Sequence, residues 1–139
     1  MRILILGASG MVGYNLYKFL KEYNDIFLSV RDHSLIKNNL FSQAKKVIHY
    51  DANDPFSLTV HLKDLKPDVI INAIGVTKQI TNLDLANSIY INSYFPHYLN
   101  KLGQEYGIRL LTLSTDCIFS GKKGNYTESD NSDAQDSYG

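Results

Sequence analysis

The chain contains one cysteine, three prolines, no tryptophan and no surplus of either charge. A single thiol, Cys117, rules out an internal disulfide and a cysteine-ligated metal cluster, and it suits a reducing compartment such as the cytoplasm. Fourteen Lys and Arg balance fourteen Asp and Glu. No basic stripe breaks that balance, so nothing recommends a nucleic acid or an anionic membrane surface as a partner. Apolar runs do not exceed strand length, so no membrane-spanning helix is expected. A basic leader with a cleavage site is also lacking, so secretion is not expected. His33, His49, His61 and His97 share no ligand spacing, and no metal is expected.

What is present is ordinary globular material: 139 residues, 44% hydrophobic and 20% charged, enough for one domain with a real core. The organising stretch comes first. Residues 3–6 are an apolar strand that runs directly into Gly7-x-x-Gly10-x-x-Gly13, and a helical pattern follows. A strand, a glycine turn and a helix in that order form the device that presents a pyrophosphate to a helix N-terminus. Gly7 permits the tight turn, Gly10 clears the backbone for phosphate, and Gly13 lets the helix approach the strand.

Further along, Val12, Leu16, Phe19 and Leu20 recur at helical spacing as the expected core face. Residues 26–30 read as a second strand, 32–46 as a loop with one helical turn, and 47–50 as a third strand. Asp54 and Pro55 read as the cap and first residue of a helix that runs to 65, with Leu58, Leu62 and Leu65 inward. Residues 69–74 are apolar at nearly every position, as in a central parallel strand. After a loop over 75–82, a long helix is expected over 84–106, kinked by Pro96 and stopped by Gly107. Residues 109–114 give a fifth strand, and 116–139 are polar and rich in turns. Strands alternating with helices imply a doubly wound, Rossmann-type parallel sheet in a three-layer αβα arrangement.

Ligands of such a sheet lie beyond the carboxyl ends of its strands, which singles out a short set of residues. An acidic residue about 20 positions past the glycine loop usually holds the adenosine ribose. Arg31 stands there instead, and a guanidinium pairs with a 2′-phosphate, which favours NADP over NAD. Asp32 taking the ribose is the alternative. Asp51 is either an acceptor for the adenine amino group or a turn residue. Asn72 is read as a tie between strand ends, and Gly75 as room for a loop passing close to a ligand. Ser114, Thr115 and Asp116 place hydroxyls at a strand end, where they can hold a carbonyl oxygen. Tyr138 is a candidate proton donor, provided that something lowers its pKa. Cys117 reads as a packed thiol, and Lys122-Lys123 as a solvated turn.

The sequences ILILGASGMVG, PDVIINAIG, INSYFPHYL and LSTDCIFSGKKGNYTESD followed by SYG occur in that order along the whole chain. In these the chain resembles the N-terminal part of extended short-chain dehydrogenases/reductases, in particular the dTDP-4-dehydrorhamnose reductase group of nucleotide-sugar reductases. The resemblance implies that Gly10, Met11 and Val12 contact the cofactor pyrophosphate. Arg31, Asp51 and Ala52 would surround the adenosine, and Gly75, Val76 and Thr77 would lie near the phosphate and nicotinamide ribose. Thr115 would match a hydroxyl on the sugar C4 oxygen, Tyr138 the general acid, and Asn92 a structural asparagine behind the site. The implied reaction is hydride transfer from NAD(P)H to a keto group of a nucleotide-activated deoxysugar.

The family pattern continues Tyr-Gly-x-x-Lys, which would put its lysine at the third place beyond the last residue here. The chain is therefore expected to be a truncated cofactor half, inactive alone, with an incomplete sheet that promotes self-association or homo-oligomers. An epimerase or dehydratase of the same superfamily, and a non-catalytic nucleotide-binding regulatory module, are the alternative readings.

Overall fold

The computed structural model describes residues 1–36, 39–81 and 83–138. Lys37 and Asn38 in the second loop, Asn82 at the end of the third, and Gly139 of the terminal Ser-Tyr-Gly lie outside the described residues. Five strands, β1 (Arg2–Leu6), β2 (Asp25–Val30), β3 (Lys46–His49), β4 (Val69–Asn72) and β5 (Arg109–Thr112), form one sheet in the order β3-β2-β1-β4-β5. Every pairing is parallel. Helices α1 (Met11–Leu20), α2 (Ser57–Leu65), α3 (Lys78–Thr81), α4 (Leu85–Ile89) and α5 (Phe95–Tyr106) make the crossovers other than that from β2 to β3. Among the described residues no helix is long and apolar enough to cross a membrane.

β1, β2 and β4 are buried on both faces because both faces are covered. Along β1, Leu4 and Leu6 enter a cluster with Leu58 and Leu62 of α2 and with Phe95 and Leu99 of α5. Ile3 and Ile5 enter a second cluster with Tyr17 of α1 and with Phe41. One strand thus feeds two cores by alternation, which gives the three layers. β5 is one of the sheet's two edge strands, with β3 the other. Its Leu110 packs against the first cluster, while Leu111 is 44% exposed and the following Leu113 51%.

Several boundaries and faces differ from those read in sequence. The inward face of α1 is Gly13 and Tyr17, with Leu16 and Leu20 beside them, while Phe19 is 78% exposed. Gly13 fixes this face, because the helix touches the β1 turn there. Position 19 lies six residues on, about 240° around the helix at about 100° per residue. Asp54 does not cap α2. The chain first makes tight turns, with Leu58 N–H donating to Pro55 O and Thr59 N–H to Phe56 O, and the helix starts at Ser57. The expected long helix is present and continuous over 85–106, but a π turn divides it into α4 and α5. Asp84 caps α4 by accepting from Asn87 N–H, then Tyr90–Tyr94 form a wide π turn in which Phe95 N–H donates to Tyr90 O. Pro96 has no N–H to offer the Asn92 carbonyl, and the wide turn lies immediately before it. Gly107 ends α5 at φ +67, as expected. The loop after β4 contains the single turn α3, and the loop after β2 contains two 3₁₀ turns, His33–Leu35 and Asn39–Phe41.

Among the described glycines the tightest is Gly13, where a Cβ would lie 2.3 Å from the Gly7 carbonyl oxygen and 2.9 Å from Ala8 Cα. Both obstacles are backbone, so Gly13→Ala must push α1 off the sheet. The expected loss is about 3 kcal/mol, read as a lower urea midpoint. Gly10→Ala meets only the Gly7 carbonyl at 3.3 Å and should lose less. Equal midpoints for wild type and Gly13→Ala would refute the close-approach account.

Candidate functional site

The chain leaves β1 through Gly7 at φ +78, a conformation that side-chain-bearing residues rarely adopt. A Cβ at Gly7 would also lie 3.0 Å from Ile74 in the loop after β4. Ser29 of β2 holds this turn: its hydroxyl accepts from Gly7 N–H at 3.2 Å and its carbonyl from Ala8 N–H at 3.0 Å. Gly10 then begins α1 without a side-chain cap. The first-turn N–H groups of Met11, Val12 and Gly13 therefore point along the helix axis toward whatever lies before it.

Before it lies a cleft of about 280 Å³ over the carboxyl ends of the strands. Gly7, Gly10, Arg31, Asp51, Ala52, Gly75 and Val76, all expected from sequence, line it together. The other expected residues fall elsewhere. Met11 is 80% exposed and the Val12 side chain also faces outward, so only their backbone amides are available. Gly13 is buried beneath the turn, and Thr77 is exposed beside the lining.

Thr115 and Tyr138 are not among the lining residues. Thr115 Oγ1 accepts from Cys117 N–H at 3.2 Å, capping the short turn Asp116–Ile118. Tyr138 N–H donates to Asp136 Oδ1 at 3.0 Å, and the other Asp136 oxygen pairs with Lys78 Nζ at 2.6 Å. One carboxylate thus ties the terminal segment to the loop that carries Gly75 and Val76.

The polar groups around the cleft are sharply divided in role. Asp32 does not line it. Its carboxylate accepts from Ser34 N–H at 2.8 Å, and the Ser34 backbone and hydroxyl hold it below the usual carboxylate range. Asp51 lines the cleft, and its Oδ1 accepts from Asn53 N–H at 3.0 Å, the turn contact that is one of its two readings. Asn72 donates to Thr112 Oγ1 at 3.1 Å and accepts from Ile74 N–H at 3.2 Å, tying β4 to β5 as expected. Asn92, placed by the π turn, accepts from Val76 N–H and donates to Val76 O, both at 2.8 Å. Lys123 is not a free solvated lysine: it pairs with Asp130. His33 and His49 stack with ring centroids 3.7 Å apart. No group of three or more potential metal ligands occurs among the described residues.

Tyr50, Asn53 and Asn87 also line the cleft and were missed by sequence reading, whereas Ser9 and Ser29, also in the lining, belong to the strand-end stretches 7–13 and 29–32 that the sequence points to. Ser29 had a visible signal, a hydroxyl inside an otherwise apolar strand. Tyr50 and Asn87 had none, since each sits in a stretch read as strand or helix core.

Sheet order, glycine turn and cleft together define a Rossmann-type domain of the short-chain dehydrogenase/reductase kind. Within that class the chain belongs to the RmlD substrate binding domain family, whose model matches residues 1–139. It is 28% identical over 141 residues to a dTDP-4-dehydrorhamnose reductase of Burkholderia thailandensis, covering all of this chain and 42% of the relative. It is 29% identical over 131 residues to the enzyme of the same name from Aggregatibacter actinomycetemcomitans, covering 93% of this chain and 40% of that one. The chain therefore spans under half the length of these relatives. Among solved structures, a hypothetical dTDP-4-dehydrorhamnose reductase from Sulfolobus tokodaii superposes with TM-score 0.83 at 29% identity, over 99% of this chain and 48% of that one. The Bordetella bronchiseptica enzyme WbmG, solved in complex with NAD, shares the fold at TM-score 0.83 and 20% identity, over 99% of this chain and 45% of that one.

The Asn92 clamp has a direct readout. Asn92→Ala removes both bonds to Val76, so the Val76 amide should exchange with solvent about tenfold faster, the size of one lost hydrogen bond. Unchanged exchange at Val76 in a folded variant would show that the loop is held by other contacts.

Proposed function

We propose that this chain is the NAD(P)H-binding part of a nucleotide-sugar reductase that acts on the keto group of a dTDP-activated 4-keto-deoxysugar. The observation that carries the reading is the uncapped start of α1 at Gly10, opening on a cleft walled by Arg31, Asp51, Ala52, Gly75 and Val76. A dinucleotide fits that donor set. The α1 amides suit a pyrophosphate, and no Cβ at Gly7 or Gly10 fills the approach. When bound, the reduced nicotinamide supplies the hydride. The chain's own part is to seat the pyrophosphate on α1, to hold the adenosine end with Arg31 and the Asp51–Ala52 turn, and to fix Gly75 and Val76 through Asn92. In this reading Thr115 donates a hydrogen bond to the sugar oxygen and Tyr138 delivers the proton. The setting is cytoplasmic, in keeping with the single thiol.

NADPH is the favoured cofactor. Arg31 lines the cleft, whereas the Asp32 carboxylate, the rival ribose ligand, is engaged by Ser34. Arg31→Ala should weaken NADPH binding by about tenfold or more, the scale of a charge-assisted hydrogen bond, and should weaken NADH much less. Equal losses in parallel titrations would overturn the NADPH preference.

The proton step places a second demand on the chain. A tyrosine of pKa about 10 needs a cation at its side to act near neutrality, and the family's lysine falls outside these 139 residues. The chain alone is therefore expected to bind nucleotide without oxidising NAD(P)H in the presence of dTDP-4-keto-sugar. Steady absorbance loss at 340 nm above a no-enzyme control would refute that division.

A further inference from the structure

Away from the cleft, the surface between α2 and α5 carries a row of aromatic rings. Tyr90, Tyr94 and Tyr98 stack in succession along the π turn and α5, with ring centroids 5.4 Å and then 6.3 Å apart. Phe56, just ahead of α2, continues the row by meeting Tyr98 edge-on at 6.3 Å. Two of the phenols are anchored, Tyr90 donating to the Ala52 carbonyl at 2.9 Å and Tyr98 to the Pro55 carbonyl at 3.4 Å. The row is therefore held stiff before anything meets it, which lowers the entropy that a contact must overcome. Yet Phe56 is 74% exposed, Tyr94 53% and Val60 of α2 68%. Contiguous, rigid apolar area left in water marks an interaction surface.

The same side of α5 continues with Lys101 and Glu105, both exposed, and neither forms an ion pair among the described residues. Tyr94, Tyr98, Lys101 and Glu105 are separated by four, three and four residues, so they form one stripe down the helix. That spacing reads the same from either end. Turned end for end, a second copy of the chain sets Tyr94 opposite Glu105 and Tyr98 opposite Lys101. The Tyr94 hydroxyl, unlike those of Tyr90 and Tyr98, is not engaged among the described residues. It is free to donate to the Glu105 carboxylate of the second copy, while the Lys101 stem packs along the Tyr98 ring. A parallel pairing would instead bring Lys101 onto Lys101 and Glu105 onto Glu105, and like charges repel. We propose that this stripe is the contact between two copies of the chain, antiparallel about a two-fold axis level with the Leu99–Asn100 peptide. Phe56 and Val60 flank the stripe and add apolar area to the contact. The inference places self-association on α5 and not on the β5 edge, and it is independent of the nucleotide reading.

The test is sedimentation equilibrium of the wild-type chain and of Tyr94→Phe, Glu105→Gln and Lys101→Glu, with far-UV circular dichroism to verify folding. All three positions are exposed, so the variants should fold as wild type does. Wild type is expected to be a dimer in equilibrium with monomer. Every contact occurs twice across the axis, so Tyr94→Phe or Glu105→Gln should raise the dimer Kd about tenfold. Lys101→Glu should raise it at least as much. Tyr94→Phe combined with Glu105→Gln should raise it no further than either alone, since both remove the same bond. A wild-type chain that stays monomeric at every soluble concentration overturns the inference. A dimer whose Kd none of the three variants moves also overturns it, and assigns association to another face such as the β5 edge. Additive losses in the double variant overturn the pairing of Tyr94 with Glu105.

Discussion

The backbone of α1 lies against the turn that leaves β1 so closely that only a hydrogen fits at position 13, where a Cβ would stand 2.3 Å from the Gly7 carbonyl oxygen. That constraint sets the rotation of α1, and the rotation decides which residues are core: Tyr17 goes in and Phe19 goes out. It also aims the N-terminus of α1 over the carboxyl ends of the strands. Gly7 adds a second approach, to Ile74 beyond β4. Three stretches distant in sequence are therefore locked together around one turn, and the cleft is the space that they cannot fill.

Where the parallel ladder stops, the backbone groups of the outgoing loops lose their strand partners and must find others. Short polar side chains supply them here. Ser29 accepts from Gly7, Asn72 accepts from Ile74 and donates to Thr112, and Asn92 brackets Val76. Each of these side chains serves the loops and leaves the loop backbones facing the cleft. Against that pattern the Tyr50 hydroxyl stands out, because it is buried in the same neighbourhood and serves nothing within the chain.

The features legible in the sequence were those imposed by close steric rules. β1 and β4 announced themselves by being apolar on both faces, and Gly7, Gly10 and Gly13 by their spacing. What escaped depended on register or on three-dimensional context. The apolar spacing of α1 admitted Phe19 as readily as Tyr17, and only the contact at Gly13 chose between them. Asp54-Pro55 looks like a helix start, yet the chain turns tightly there and Ser57 Oγ donates to the Asp54 carbonyl. The pattern over 84–106 is continuous in sequence, and the wide turn ahead of Pro96 is a hydrogen-bonding event without a periodicity of its own. In the cleft, most residues contributed by loops were legible, Asn53 excepted, while Tyr50 and Asn87 were hidden in stretches read as strand and helix. Their role follows only from where those elements end.

The two ends of the site are held by different forces. The walls of the cleft grow out of β1 to β4, of which β1, β2 and β4 are buried on both faces, and hydrophobic burial does not depend on the ionisation of side chains. Thr115 and Tyr138 lie beyond β5, in a segment folded on itself by exposed polar contacts. Ser120 bonds both oxygens of Asp133, Lys123 pairs with Asp130, and Lys78 with Asp136. Lys123 holds the Asp130 carboxyl below its usual range, and Ser120 does the same for Asp133. The contribution of these contacts is thus present above the ordinary carboxylate pKa and is lost as pH falls through the lowered values. Exposed pairs of this kind contribute little each and are screened by salt. The cleft end of the molecule is therefore held by burial, and the segment carrying the proposed acid is held by the weaker and more adjustable force.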